Sequence, residues 1–277
     1  MSAVPRITLN DGHEIPQIGL GLWKVSDDEA EAIVLNALEA GYRHLDDATL
    51  YGNEAGVGRA IAASGIPREE IFVTTKLWPD SLRRTAARAA IETSLEKLGL
   101  DHVDLYLIHW PAPMRGQEYV DAWGSLIDFR SEGLATSIGV SNFLPEHLDA
   151  IIDDTGIVPV VNQIELHPTF QPHDLISQCA DLGIAIEAWS PLGHRRDLAH
   201  PDVVAIAAEH GVSPAQVILR WHLDRGFVAL PKSVSPERQR QNLDLFGFRL
   251  TPAQRAAIDA ANTGVRLGAD PLKVGAP

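Results

Sequence analysis

Four ionisable side chains of different kinds, Asp46, Tyr51, Lys76 and His109, make up a set with a clear chemical use. A tyrosine is a poor acid at neutral pH, with a reference pKa of about 10. An ammonium beside it lowers that value by stabilising the phenolate, and a carboxylate pairs the ammonium and fixes its position. Tyr51, Lys76 and Asp46 therefore read as a proton donor, its tuning group and its orienter, and His109 can polarise a carbonyl oxygen or relay a proton. Such a set protonates an oxygen that becomes negative as something adds to its carbon. Singly, each residue also fits a structural role, because buried Asp–Lys pairs and strand-end histidines are common in cores. Only their convergence argues for chemistry.

The elements that must bring them together are legible as alternating strand-like and helical runs. Strands are expected at 18–22, 43–46, 71–76, 103–109, 136–140, 160–164, 184–189 and 227–231, after an opening hairpin, ITLNDGHEI, with Asp11-Gly12 at its turn. Several runs, such as DLYLIHW and AIEAWSPL, are nearly unbroken apolar stretches, as in strands buried on both faces. The segments between them read as helices. In 85–99 the positions Ala87, Ala90, Ile91, Leu95 and Leu98 share one helical face, and Gly99 suits the residue after the helix. Ser26–Glu29, Ser213–Gln216 and Thr251–Gln254 have the spacing of capping boxes. Eight strand–helix units without an intervening linker predict one domain over 1–277, a single (β/α)8 TIM barrel with an N-terminal β-hairpin. The only glycine cluster near the start, Gly19-Leu20-Gly21, lacks a third glycine at Lys24, so a dinucleotide fingerprint is unsupported. In a barrel, chemistry sits at the C-terminal strand ends, and that is where Asp46, Lys76 and His109 fall.

A second set follows the last strand. Ser235 suits a helix N-cap with Pro236 behind it, so Lys232 and Arg238 would face an anion beside free backbone N–H groups. The chain carries 23 Lys plus Arg against 37 Asp plus Glu, a formal charge of −14, which makes two cations at this end notable. The same charge argues against nucleic acid or anionic membrane as partners. One cysteine, Cys179, excludes an internal disulfide and a cysteine-based zinc site. The 11 histidines form neither a His-x-His pair nor an H-E-x-x-H motif, so no metal site is expected. No apolar run suggests a leader or a membrane span, which points to a cytoplasmic protein, and no heptad or exposed apolar stripe calls for assembly, so a monomer is expected. Of six tryptophans, Trp23, Trp78, Trp110 and Trp189 follow or close strands and can line a pocket mouth or stack on a planar ring, whereas Trp123 and Trp221 lie within helical patterns and read as core.

The blocks GYRHLDDATLYGNEAGVG, FVTTKLW, VDLYLIHWP, IGVSNF, VNQIELHP, WSPLG and LPKSVSPERQRQN resemble, in order and across nearly the whole chain, those of the aldo-keto reductases. The block IAASGIPREEIFVTTKLW and the short loop after His109 are most similar to the bacterial 2,5-diketo-D-gluconate reductases. The resemblance implies a barrel that binds NADPH without a Rossmann domain and transfers hydride to the carbonyl of a small molecule. Asp46, Tyr51, Lys76 and His109 match the catalytic tetrad, with Tyr51 as general acid. Ser141, Asn142 and Gln163 match positions that hold the nicotinamide carboxamide, Trp189 the aromatic that stacks on its ring, and Ser190, Leu192 and Gly193 the pyrophosphate contacts. Lys232, Ser233, Val234 and Arg238 match the segment around the adenosine 2′-phosphate, and Asn242 an adenine contact. Trp23, Trp78 and Trp110 match the substrate-pocket walls.

Three positions depart from the family pattern. Asp47 stands where relatives usually carry Thr or Ser, and an added carboxylate there either raises the Lys76 or Tyr51 pKa or points away. Gln241 and Ser235 replace residues near the adenine and the 2′-phosphate and bear on the strength of NADPH preference. Two other functions compete with carbonyl reduction: a nicotinamide-sensing protein with little turnover, and a metal-dependent barrel hydrolase. The substrates compatible with the sequence are keto-sugar acids, methylglyoxal-like dicarbonyls, aromatic aldehydes and keto esters, with Arg115 a candidate contact for an anionic one.

Overall fold

The computed structural model describes residues 4–275, so the first and last few positions of the expected domain lie outside the described residues. The chain opens with a hairpin of β1 (Arg6–Thr8) and β2 (Glu14–Pro16), paired antiparallel about a turn in which Gly12 takes a positive φ. Eight parallel strands follow: β3 (Leu20–Gly21), β4 (His44–Asp46), β5 (Phe72–Leu77), β6 (Val103–Ile108), β7 (Ala135–Ser141), β8 (Val161–Glu165), β9 (Ala185–Trp189) and β10 (Val228–Leu230). They lie in sequence order from β3 to β10, and an Ile18–Ala229 bridge joins the two edges into a barrel. The first strand is shorter than the expected 18–22. Along the seam Ala229 N–H donates to Gln17 and Gly19 N–H to Ala229, but Pro231 has no N–H to offer the Gly19 carbonyl, so the ladder with β10 breaks there.

Among the described residues ten α-helices alternate with or follow the strands: α1 (Asp27–Ala40), α2 (Glu54–Ala63), α3 (Arg84–Leu98), α4 (Glu118–Ser131), α5 (Pro145–Thr155), α6 (His173–Asp181), α7 (Pro201–His210), α8 (Pro214–Asp224), α9 (Pro236–Leu243) and α10 (Pro252–Asp259). Gly99 ends α3 with a φ of 66°, and both α8 and α10 carry reciprocal capping boxes, from Ser213–Gln216 and Thr251–Gln254. At α1 the box does not form. Ser26 Oγ donates instead to the Glu29 carboxylate at 2.6 Å, and three acidic residues in the first turn complement the helix dipole.

Leu9 and Ile15 of the hairpin pack with Phe72, Leu105, Leu107, Val161, Val228 and Leu230, so the hairpin plugs the N-terminal end of the barrel with hydrocarbon. Polar groups gather above this plug, while Ser137 and His44 border it: Ser137 Oγ donates to Asp11, and the His44 ring stands edge-on to Phe72. Trp123 of α4 and Trp221 of α8 are fully buried in the core, as their helical positions suggested.

Beyond α10 the chain returns across the C-terminal face as a strap. Arg266 Nη1, Leu267 N–H and Gly268 N–H all donate to the buried Glu165 carboxylate, at 3.2, 2.7 and 3.1 Å. A Cβ on Gly268 would stand 2.2 Å from the Trp189 ring, so only glycine lets the strap lie against it. At the far end, Arg115 Nε donates to the Gly275 carbonyl at 2.9 Å. His167 braces the anchor, with Nδ1 2.9 Å from Asp197 Oδ2 and Nε2 3.3 Å from Glu165 Oε1. Burial opposes charge on all three groups. The hydrogen bonds nevertheless hold both carboxyls below, and His167 above, their ordinary pKa values.

The pH dependence of this cluster follows from those signs. Carboxyls with lowered pKa stabilise above their unfolded values and lose that contribution as pH falls through the folded ones. A raised His167 stabilises below its unfolded value and loses its share as pH rises. The cluster is therefore most stabilising between about pH 4.5 and 6.5. Glu165→Gln is expected to cost roughly 3 kcal/mol, the effect of breaking a buried ion pair, and to expose the strap to proteolysis. Thermal melts from pH 4 to 8 with limited proteolysis check this.

Candidate active site

The loop that carries Tyr51 is pinned before any chemistry can be asked of it. Asn53 Nδ2 donates to the carbonyls of Leu22 and Val25, both at 3.1 Å, and Thr49 Oγ1 donates to the Lys76 carbonyl at 2.9 Å. The glycines of the GNEAGVG block permit α2 to sit close behind. A Cβ on Gly56 would lie 2.5 Å from the Asp27 carbonyl oxygen, and one on Gly58 2.4 Å from that of Leu98. Glu54 at the start of α2 accepts a 2.7 Å hydrogen bond from Thr75, the residue before Lys76. Sequence spacing in this block is thus packing of α2 onto α1 and α3, with Tyr51 as its beneficiary.

The four expected residues meet at the C-terminal end of β4, β5 and β6. Lys76 is fully buried, and its Nζ lies 2.7 Å from Asp46 Oδ1, 2.8 Å from the Asp47 carbonyl oxygen and 3.4 Å from the Tyr51 hydroxyl. The His109 ring stands edge-on to Tyr51 and to Trp78, with centroids 5.8 and 5.2 Å away. Burial opposes the Lys76 charge, but Asp46 and the other acceptors outweigh it and the pKa is raised. For Tyr51 the balance runs the other way from the sequence expectation. Desolvation is the largest effect and pushes the phenol up to about 12, with Lys76 pulling against it. Burial, then the Lys76 charge, holds His109 well below its ordinary value, so the imidazole is neutral.

Asp47 is resolved by its surroundings. Its side chain is fully buried, with Oδ1 accepting the Ala48 N–H at 2.8 Å and Oδ2 unpartnered. Burial, with Glu54 nearby, raises its pKa well above the carboxylate range. Lys76 meets Asp47 through the backbone carbonyl rather than the carboxyl.

Asp46, Tyr51 and His109 floor a cavity of about 340 Å3 walled by Trp23, Trp78, Trp110 and Trp189, all four of the strand-end tryptophans. Ser141, Asn142, Gln163, Ser190 and Lys232 also line it. The β7–β8 register sets Ser141 opposite Gln163. Asn142 takes a φ of 63°, a conformation asparagine tolerates, and its side chain bonds the His109 carbonyl, Ser141 Oγ and Trp189 Nε1. Gln163 Nε2 donates to Asp46 Oδ1 at 2.8 Å and to Glu187 Oε2 at 3.1 Å. With both amide hydrogens used, its carbonyl oxygen is left for a donor in the cavity. Ser190, Gly193, His194 and Arg195 all have positive φ, a concentration of strained backbone at the mouth of the site.

Leu192, Gly193, Ser233, Val234, Arg238 and Asn242 are not in the cavity lining. Ser235 Oγ accepts the Arg238 N–H, so α9 begins as expected, with Arg238 in its first turn. Lys232 and Arg238 are exposed and make no ion pair among the described residues, whereas Asn242 is buried. Arg115 is committed to Gly275 and lies 3.8 Å from Glu118, so it is not a cavity residue. Sequence reasoning missed Leu50, His194 and the strap residues Gly268, Ala269 and Val274 as lining residues, and Glu187 beneath the floor. None carries a local signal, since each reaches the site through long-range packing.

Comparison with known proteins agrees with this architecture. Residues 17–263 match the Aldo/keto reductase family. An aldo-keto reductase of Mycolicibacterium smegmatis is 52% identical over 267 residues, covering 96% of this chain and 97% of the relative. A methylglyoxal reductase, DkgA, of Yersinia pestis is 47% identical over 273 residues, covering 98% of each chain. The crystal structure of a Gox0644 variant in complex with NADPH superposes with a TM-score of 0.95 at 45% identity, covering 99% of each chain. The chain belongs to the aldo/keto reductase family.

Proposed function

We propose that the chain, as one domain over residues 1–277, is an NADPH-dependent reductase of small uncharged aldehydes and dicarbonyls, with Tyr51 as the proton donor. The observation that carries this reading is the buried Asp46–Lys76 pair directly beneath the Tyr51 hydroxyl, at the floor of an aromatic cavity. NADP(H) suits both the family and the residues present, because the free Gln163 oxygen can accept from a carboxamide and the Trp189 ring borders the cavity. When bound, the nicotinamide supplies hydride. The chain's own residues do the rest. Neutral His109 offers an N–H to the substrate oxygen and orients it over Tyr51. Tyr51 keeps its proton at every physiological pH and gives it up only as negative charge develops on that oxygen, when the nearby Lys76 ammonium stabilises the phenolate. Asp46 keeps Lys76 charged although the lysine is fully buried.

The substrate end of the cavity favours neutral molecules. Its walls are tryptophan, Lys76 is already paired with Asp46, and Arg115 is turned toward Gly275. A keto-sugar acid would bring a carboxylate to a cavity whose one lining lysine, Lys232, is the cation that the 2′-phosphate of NADPH would claim. A methylglyoxal-like dicarbonyl brings none, and one relative is named for that reaction.

Two measurements test the reading. NADPH oxidation with methylglyoxal is expected for the wild type, and Tyr51→Phe should lose at least ~100-fold in kcat, the scale of general acid catalysis, while still quenching tryptophan fluorescence on binding NADPH. Undiminished turnover in Tyr51→Phe would refute the role, and tight NADPH binding without wild-type turnover would identify a sensor. Replacing both Lys232 and Arg238 with Met should raise the KM for NADPH at least ~10-fold and leave NADH nearly unchanged, since only NADPH carries the phosphate those cations face. Equal effects on both cofactors would place the 2′-phosphate elsewhere.

A further inference from the structure

Beneath the four residues of the site the barrel interior holds a second polar layer that the chemistry above does not use. Glu187 of β9 and His44 of β4 are both fully buried, and Glu187 Oε1 lies 3.6 Å from His44 Nε2. His44 Nε2 is also 3.2 Å from Thr74 Oγ1 on β5. The other Glu187 oxygen accepts from Gln163 Nε2 at 3.1 Å, and the same nitrogen donates to Asp46 Oδ1 at 2.8 Å. Asp46 Oδ1 in turn takes Lys76 Nζ at 2.7 Å. One unbroken chain, Glu187–Gln163–Asp46–Lys76–Tyr51, therefore runs from the middle of the barrel to the phenol.

We propose that Glu187 is a positioning residue for the reduction: it holds the Gln163 amide with its oxygen toward the cofactor and, through that amide, controls the charge that Asp46 and Lys76 present to Tyr51. The inference rests on the proposed reductase reading.

The amide geometry gives the first half. Gln163 Nε2 has two hydrogens, and two buried carboxyls claim them, so a flipped amide would set its oxygen against both. Without Glu187 one hydrogen loses its partner and the flip is opposed by Asp46 alone.

Charge gives the second half. Two buried carboxyls flank one nitrogen, and among the described residues Lys76 is the only cation bonded to either. The groups facing Glu187 are His44 and Asp46 from β4, Lys76 from β5, neutral Gln163 from β8 and Val228 from β10. Burial lowers His44 to about 4, so it is neutral and cannot balance a second anion. Burial first, and Asp46 second, raise Glu187 to about 8. At neutral pH Glu187 keeps its proton and Asp46–Lys76 stands as an isolated neutral pair. As pH rises through that value, a new negative charge beneath Asp46 makes Tyr51 a weaker acid, because it stabilises the protons on Lys76 and Tyr51. Reduction should then slow on the alkaline side before Tyr51 itself titrates.

Glu187→Gln is the neutral isostere of the protonated state and Glu187→Leu removes the acceptor. Glu187→Gln should stay within ~3-fold of wild-type kcat at pH 7, because its amide oxygen still accepts from Gln163, and it should flatten the fall in kcat between pH 7 and 9. Glu187→Leu should lose at least ~10-fold in kcat/KM for NADPH, the scale of a lost buried hydrogen bond, with melting checked alongside. Independently of turnover, infrared difference spectra of the cofactor-free protein should show a protonated carboxyl band that disappears between pH 7 and 9 and is missing from Glu187→Gln. If Glu187→Gln keeps the wild-type pH profile, or the band is unchanged by the substitution, the proposal is overturned. If Glu187→Leu does not fold, the Glu187→Gln profile and band decide alone. Wild-type protein that binds NADPH without turnover would instead refute the reductase reading, and the infrared result would still stand or fall by itself.

Discussion

A lysine ammonium with no exposure to water, inside a barrel, is the constraint on which the site depends. An unpaired charge at that depth would cost several kcal/mol and would be expected to discard its proton. Lys76 escapes that outcome because Asp46 lies 2.7 Å away and the Asp47 carbonyl 2.8 Å away. The remaining architecture can be seen as the means of keeping those acceptors in place. β4 and β5 are adjacent and parallel, α2 is drawn in by two glycines, and Asn53 ties the loop between them to the end of β3. Tyr51 is thereby placed with its hydroxyl beside the ammonium.

The separation of apolar and polar layers gives that pair its setting. The hairpin plug fills the lower barrel with Leu9, Ile15 and the inward side chains of five strands, so polar side chains gather toward the opposite end. There they cannot reach bulk water and must satisfy one another. Gln163 bridging Asp46 and Glu187, Asn142 bridging His109 and Trp189, and Glu165 gripping the strap are three solutions to that requirement. The strap in turn narrows the mouth over Trp189, so the packing of residues 266–275 shapes a cavity whose chemistry lies in the first half of the chain.

Much of this was legible in the residues. Alternating strands and helices fixed the order of the barrel, and strand ends singled out Asp46, Lys76 and His109 because a side chain at a strand terminus has nowhere to point but the face it borders. Caps at Ser213, Thr251 and Ser235 obeyed local rules and needed no tertiary contact. What could not be read depends on closure. The Gln163–Asp46 bond joins residues 117 apart, and Glu187 sits in an apolar run, AIEAW, where nothing local says that an amide will face it. The direction of the Tyr51 shift was also hidden, since it is a contest between burial and the Lys76 charge that only the depth of the site decides. Asp47 was marked by sequence as a departure, but the burial of its carboxyl, which raises its pKa, is a consequence of packing beside Glu54.

The central claim is that Asp46 keeps a fully buried Lys76 charged. Nitrogen-15 NMR of the Lys76 side chain, titrated from pH 6 to 10 in wild type and in Asp46→Asn, addresses it most directly. The account predicts an ammonium throughout that range in the wild type and a substantially lower pKa once the carboxylate is gone, because burial then acts unopposed. A neutral Lys76 amine in the wild type at pH 7, or an unchanged titration in Asp46→Asn, would contradict it.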